Sequence, residues 1–326
     1  MKIITALALL VITGTSAVNH SVSCQEQEKI HQYAFSTGPL FGFASGQALE
    51  VVYPENTKAP LMSELRWDMK PLYYIGARLD IDKIEPEGKP AFFSSLSFKA
   101  GIPADSGIME DRDWLSKENS ALTHFSSHSN ETSEFYWLDI TAGVSLPVKT
   151  FFYIKPFLSG SWMRFSYAAR DGYGKYAKET GKPQAYFPID DDPYRFLFSG
   201  AVIRYTQNWL IAAAGFAIGV KFPPLFTFDL SFQISPLSFC IDRDEHLLRN
   251  YTYIDYTGWG VFIEPAAKLI FAARGIEFSF EYAWRYISNT KGETLISDGG
   301  EFFSLNSKAG AGLSLTESRT VVKIRL

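Results

Sequence analysis

Ile276-Glu277-Phe278-Ser279-Phe280-Glu281-Tyr282-Ala283-Trp284-Arg285-Tyr286-Ile287 alternates without a break. Ile276, Phe278, Phe280, Tyr282, Trp284 and Tyr286 fall on one side; Glu277, Ser279, Glu281, Ala283 and Arg285 fall on the other. Successive side chains of a β-strand point to opposite faces, so this stretch reads as a strand with one aromatic and one charged face. In a soluble sandwich the apolar face is core. In an outer-membrane barrel it faces lipid and the charges face the lumen.

The same pattern recurs from Trp137 to Ser145, where Leu138, Ile140, Ala142 and Val144 oppose Asp139, Thr141, Gly143 and Ser145. Less regular versions run through Phe35 to Tyr53, Leu61 to Ile81, Ala91 to Ile102, Phe151 to Ala169, Leu197 to Val220, Leu225 to Cys240, Tyr251 to Ala272 and Gly310 to Leu326. With the opening stretch these make ten candidate strands, an even number as bacterial barrels require. All are at least nine residues long and most are a dozen or well over, whereas the strands of globular proteins average roughly five or six. The connections alternate in length. Pro147 to Thr150, Lys221 to Pro224 and Arg274-Gly275 are short, while Pro103 to Ser133, Arg170 to Tyr194 and the region after Lys291 are long. Outer-membrane barrels have short periplasmic turns and long outer loops, so the expected fold is all-β: an antiparallel, up-and-down, ten-stranded transmembrane β-barrel.

The ends and the composition agree. Lys2, the apolar run Ile3 to Ile12 and the small residues of Thr13-Gly14-Thr15-Ser16-Ala17 form a secretory signal over residues 1–17, leaving a mature barrel over residues 18–326. Beyond it no stretch reaches the roughly 18 apolar residues of a spanning helix; Trp209 to Val220 stops at Lys221 before Pro223-Pro224. Two cysteines, Cys24 and Cys240, exclude a disulfide framework, and Ser21-Val22-Ser23-Cys24 matches a lipidation signal poorly because the apolar segment ends well before it. A formal net charge of −4 and the lack of a basic run argue against nucleic acid and for cationic partners.

Two acidic segments carry chemistry. Asp111 and Asp113 are two residues apart, as are Asp242, Asp244 and His246, so on an extended strand each set presents its ionisable groups in one direction. Two such edges facing each other would hold a water, which is hydrolase chemistry; acidic loops between strands are otherwise usually just solvated. No Ser or Cys stands in these segments as an attacking group. No His-x-x-x-His or Cys-x-x-Cys spacing supports a metal site, so neither a metal nor another cofactor is expected. A barrel of about ten strands is too narrow for an open porin-type channel.

With these residues laid out, the chain resembles the omptin family of ten-stranded outer-membrane endopeptidases. The likeness is carried by Ser63-Glu64-Leu65-Arg66-Trp67, by Gly107-Ile108-Met109-Glu110-Asp111-Arg112-Asp113-Trp114 and by Asp242-Arg243-Asp244-Glu245-His246. Ser45, Gly46 and Glu50 add to it, as do Ala283-Trp284-Arg285, Lys291-Gly292 and Gly310-Ala311-Gly312. The resemblance implies that Asp244 and His246 form a catalytic dyad, with Asp111 and Asp113 the opposing pair. It implies that Glu50 and Asp242 line the floor of a pocket for a basic side chain. It further implies an active site facing the cell exterior from the outer membrane, basic peptide or protein substrates cut at Arg or Lys, and outer-membrane lipid as a partner and activator.

The chain departs from the family pattern in places. Where the family's lipid-binding strand carries Tyr, Glu and Arg at alternate positions, this sequence has Gly160, Trp162 and Arg164, and a further Arg is replaced by Asn208. Only Arg164 is kept. A carboxylate that shapes preference on the leaving side of the scissile bond falls near His124, and the chain ends in Leu326 where such barrels commonly end in an aromatic. The competing functional reading is a catalytically silent barrel acting as an adhesin or host-protein receptor through its loops.

Overall fold

The computed structural model describes residues 33–54, 59–86, 88–191, 193–223 and 226–326. The signal segment over residues 1–17 and Cys24 lie outside the described residues. Thirteen strand segments follow in chain order: β1 (Tyr33–Tyr53), β2 (Ser63–Lys83), β3 (Ala91–Gly101), β4 (Ala104–Asp113), β5 (His124–Lys149), β6 (Phe152–Tyr176), β7 (Tyr194–Leu197), β8 (Ala201–Phe222), β9 (Phe226–His246), β10 (Tyr251–Ala273), β11 (Ile276–Ile287), β12 (Lys291–Ser297) and β13 (Phe303–Arg325).

These segments make ten staves. β3 and β4 are two halves of one stave, since both pair with β2 on one side and β5 on the other. Pro103, which has no N–H to give the ladder, sits at the break between them. β11 and β12 are likewise halves of one stave between β10 and β13, and β7 is a short appendage on β6. β13 closes the ring by pairing antiparallel with β1 from Ser36↔Arg325 to Tyr53↔Lys308. Every stave therefore has two neighbours among the described residues, and ring closure leaves only the short β7 with an unpaired edge.

Several staves are longer than the sequence patterns imply, reaching 26 residues in β5 where the expected strand covers Trp137 to Ser145. Much of what reads as long loop is ladder: β4, the first half of β5, the last turn of β6 and β12 all lie in stretches expected to be connections. The patterns there are weaker because the outward face changes chemistry. In β2 the outward residues Tyr73, Ile75, Ala77, Leu79 and Ile81 are apolar, but Glu64, Arg66, Asp68 and Lys70 above them are charged. The same switch falls between Ile102 and Asp105, Tyr136 and Glu134, Trp162 and Arg164, Leu210 and Asn208, and Ile241 and Arg243. A lipid-facing β-strand needs only about 9–11 tilted residues to cross the hydrocarbon, so the rest of each stave stands above the apolar belt. The short turns gather at the other end. Arg274 and Gly275 both have positive φ there, 51° and 80°, as the two central residues of a tight type I′ hairpin require.

The lumen is filled in two layers. Within the belt, Lys99 is fully buried, with its Nζ 2.6 Å from Glu317 Oε1, 3.3 Å from Asp139 Oδ2 and 3.5 Å from the centre of the Trp137 ring. Arg285 pairs with Glu264, Arg319 with Glu281, and Lys323 with Asp80. Above this ionic layer sits an aromatic one. Trp67 stacks on Tyr205 and Tyr167 at ring separations of 5.4 and 5.6 Å, with Trp209, Phe165 and Phe135 in the same buried cluster. This layer is the floor on which the candidate site rests.

Candidate active site

Antiparallel register brings the two acidic segments to one end of the barrel, opposite the short turns. Asp111 and Asp113 are at the upper end of β4, where Asp111 faces Leu65 of β2 and Ser126 of β5, and Asp113 faces Ser63. Asp242, Asp244 and His246 take alternate inward positions at the end of β9, opposite Gln207, Tyr205 and Ile203 of β8. Strand periodicity thus aims both sets into the lumen. Asp111, Asp113 and His246 line one cavity of about 110 Å³, together with Ser63, Ser126 and Arg249. At a liquid volume of roughly 30 Å³ per molecule, that space admits several waters.

Within the site, His246 Nε2 lies 2.6 Å from Asp244 Oδ2, and Asp244 is almost fully buried. The ring also packs edge-on against Tyr253, with centroids 5.4 Å apart. Beneath, Gln207 ties β8 to β1. Its Nε2 donates to the Leu49 carbonyl at 2.9 Å and to Tyr205 Oη at 3.0 Å, while its Oε1 accepts from Trp209 Nε1 at 3.0 Å. Ser63 Oγ donates weakly to Asp111 Oδ1 at 3.5 Å.

The electrostatics separate the two walls. Burial, followed by the charge of Asp113, pushes Asp111 well above the usual carboxylate range, and burial raises Asp113 too. Such a pair holds a proton where isolated carboxylates would not. Burial pulls His246 down, but the carboxylate of Asp244 in direct contact outweighs it and the net shift is upward; Arg249 opposes the rise.

Glu50 reaches the lumen from β1, just past a bulge at Ala44/Gly46. A Cβ at Gly46 would come within 1.9 Å of the Ser314 carbonyl oxygen, so only glycine lets β1 and β13 approach this closely below Glu50. Burial and then the charges of Asp244, Asp242, Asp255 and Asp111 raise the Glu50 carboxyl well above its ordinary value. Asp242 is buried on β9, and its carboxyl oxygens lack a well-aligned donor among the described residues although Tyr205 and Asp255 lie close to them.

Several lining residues escape the sequence reading. Arg249 sits in the four-residue connection after His246, where no periodicity marks it. His128 belongs to no sequence constellation, yet it is buried on β5 with Nε2 2.8 Å from Ser126 Oγ and Nδ1 at the Asp171 carbonyl. Asp255 had a signal: on the expected strand Tyr251 to Ala272 it shares the inward face with Tyr253 and Thr257, and in the structure it faces Asp242 directly. Away from the lumen, Arg164 faces outward just above the belt, with Nε 2.6 Å from Glu134 Oε2 and Nη1 donating to Asn208 Oδ1 at 3.0 Å. His124 packs against Tyr176 and Tyr186 at 4.3 and 5.3 Å, and burial followed by the charge of Arg249 lowers its pKa to about 4.

Comparison with known proteins gives the chain a lineage. The model of the Omptin family matches residues 31–325. The plasminogen activator of Yersinia pestis is 25% identical over 335 residues, covering 95% of this chain and 94% of that protein. The crystal structure of outer membrane protease OmpT from Escherichia coli superimposes with a TM-score of 0.76 at 17% identity, covering 90% of this chain and 97% of that one. With a family match that spans the barrel from its first strand to its last, this chain belongs to the Omptin family.

Proposed function

We propose that the protein is an outer-membrane endopeptidase that cleaves peptides or proteins after Arg or Lys, with its active site facing the cell exterior. One observation carries the reading: Asp111, Asp113 and His246, from strands far apart in sequence, line one cavity large enough for several waters, and Asp244 contacts His246 from behind. Family membership, a relative named as a plasminogen activator and a similar barrel described as a protease support it.

Asp244 accepts a hydrogen bond from His246 Nε2–H and so fixes the tautomer that leaves Nδ1 free to take a proton. Water is the nucleophile. Asp111 holds it from the opposite wall, His246 removes its proton, and the hydroxide adds to the scissile carbonyl. The proton shared by Asp111 and Asp113 is then available to the carbonyl oxygen as charge develops there. His246 returns its proton to the leaving amine as the C–N bond breaks, and the hydroxyl formed from the carbonyl oxygen gives its proton back to the Asp111–Asp113 pair.

Substrate choice follows from the buried carboxyls of Glu50 and Asp242, which favour a cationic side chain in a desolvated pocket. On the leaving side, His124 is held neutral and gives no attraction to a second basic residue. Lipid contact belongs to the outward face above the belt, where Arg164 must release Glu134 to meet a lipid phosphate.

The test is incubation of the folded protein, with and without outer-membrane lipid, with a quenched fluorogenic peptide containing one Arg. Cleavage on the carboxyl side of that Arg, unchanged by EDTA, is expected. An intact peptide under both conditions is the outcome of a silent adhesin or host-protein receptor.

A further inference from the structure

We propose that Asp255 forms a third wall of the basic-residue pocket and makes it select arginine over lysine, an inference that rests on the pocket reading given above for Glu50 and Asp242. Asp255 is on the inward face of β10, is only 2% exposed, and is the direct cross-strand partner of Asp242 on β9 and of Thr294 on β12. Its carboxyl therefore stands beside Asp242, with Glu50 across the pocket on β1.

The selectivity argument counts acceptors. Glu50 Oε2, Asp242 Oδ1, Asp242 Oδ2 and Asp255 Oδ1 are all buried without a well-aligned donor among the described residues; Tyr205 and Thr294 come near, and Asp242 and Asp255 approach each other as one acidic group against another. The nearby amide of Gln207 cannot serve them, because its Nε2 already donates to the Leu49 carbonyl and Tyr205 Oη. An ammonium brings three N–H donors and leaves at least one of these acceptors bare; a guanidinium brings five in a plane and can meet them all. Stranding one buried acceptor weakens binding by roughly tenfold or more.

The measurement uses the full mature chain folded in detergent with outer-membrane lipid, and two fluorogenic peptides that differ only by Arg or Lys at the cleaved position. Wild type favours the Arg peptide by roughly tenfold or more in kcat/KM. In Asp255→Asn the new amide donates to Asp242 and occupies one acceptor, so the remaining set suits an ammonium equally well. The Arg/Lys ratio then falls toward one, mainly through a higher KM for the Arg peptide with kcat retained, and Asp255→Ala shifts it in the same direction. Inhibition of wild type by butylguanidinium against butylammonium reads the same preference without any variant having to fold, and the guanidinium is the stronger inhibitor. Equal inhibition by the two cations, or an Arg/Lys ratio unchanged in both variants, overturns the role of Asp255 while leaving basic-residue cleavage standing. A wild type that cuts neither peptide overturns the pocket reading and this inference together.

Discussion

His246 Nε2 and Asp244 Oδ2 stand 2.6 Å apart at the last inward positions of β9, and His246 lines the same cavity as Asp111 of β4. This relationship assigns different work to the two walls. In the proposed mechanism the β9 wall moves a proton, and the β4 wall holds water and keeps a proton for the developing oxyanion.

Asp111→Asn removes the carboxylate nearest the expected water position. Activity on a basic peptide is expected to fall by ~10² or more, while the heat-modifiable gel mobility of the folded barrel stays as in wild type. Asp113→Asn acts only through Asp111 and is expected to cost less. A normal rate in Asp111→Asn contradicts the assignment of the β4 wall.

The pH profile follows from His246, which must be neutral to accept a proton. The groups that face it are Asp244 on its own strand, Asp111 and Asp113 from β4, Tyr253 from β10 and Arg249 from the adjoining connection. Burial lowers its pKa, the Asp244 carboxylate raises it by more, and the balance is upward. The acidic limb of kcat/KM therefore lies above the ordinary histidine value of about 6.5. Arg249→Ala removes a downward influence and moves that limb further up; Asp244→Asn moves it down while slowing turnover. A wild-type limb below the ordinary value, or one that Arg249→Ala leaves in place, contradicts the scheme.

Lys99 tests the layer beneath. It is the fully buried cation between Glu317 and Asp139, so Lys99→Met takes from each its nearest cation and leaves only Arg319 at 3.6 Å and Arg285 at 3.8 Å, respectively. The loss is expected to be about 3–5 kcal/mol, read as a lower denaturant midpoint for the barrel. Activity at low temperature stays near wild type, because the ionic layer lies below the aromatic floor. An unchanged midpoint shows that the other cations of the layer take over.

The ring of ten staves was legible because lipid and lumen impose a strict period of two, most plainly over Ile276–Ile287. What the pattern hid was the height of the barrel. Above Tyr73, Tyr136 and Ile241 the outward residues turn polar, so alternation between apolar and charged gives way to polar on both faces and reads as loop. The inward set at the rim was legible for the same reason as the strands: Asp242, Asp244 and His246 occupy every second position. Asp111 and Asp113 were legible by the same spacing, and Glu50 by resemblance. Arg249 and His128 were not, since one is placed by a turn and the other by a buried hydrogen-bond pair that only the folded neighbours define. Asp255 was readable by parity alone, but its partnership with Asp242 depends on the register between β9 and β10, which shifts near Gly260 and is not encoded in either strand by itself.

The most direct test of the account is the rate at which purified, folded His246→Ala cleaves an Arg-containing peptide beside wild type in the same lipid. A fall of ~10² to 10⁴ with the barrel intact is the expected result. Cleavage at the wild-type rate would contradict it.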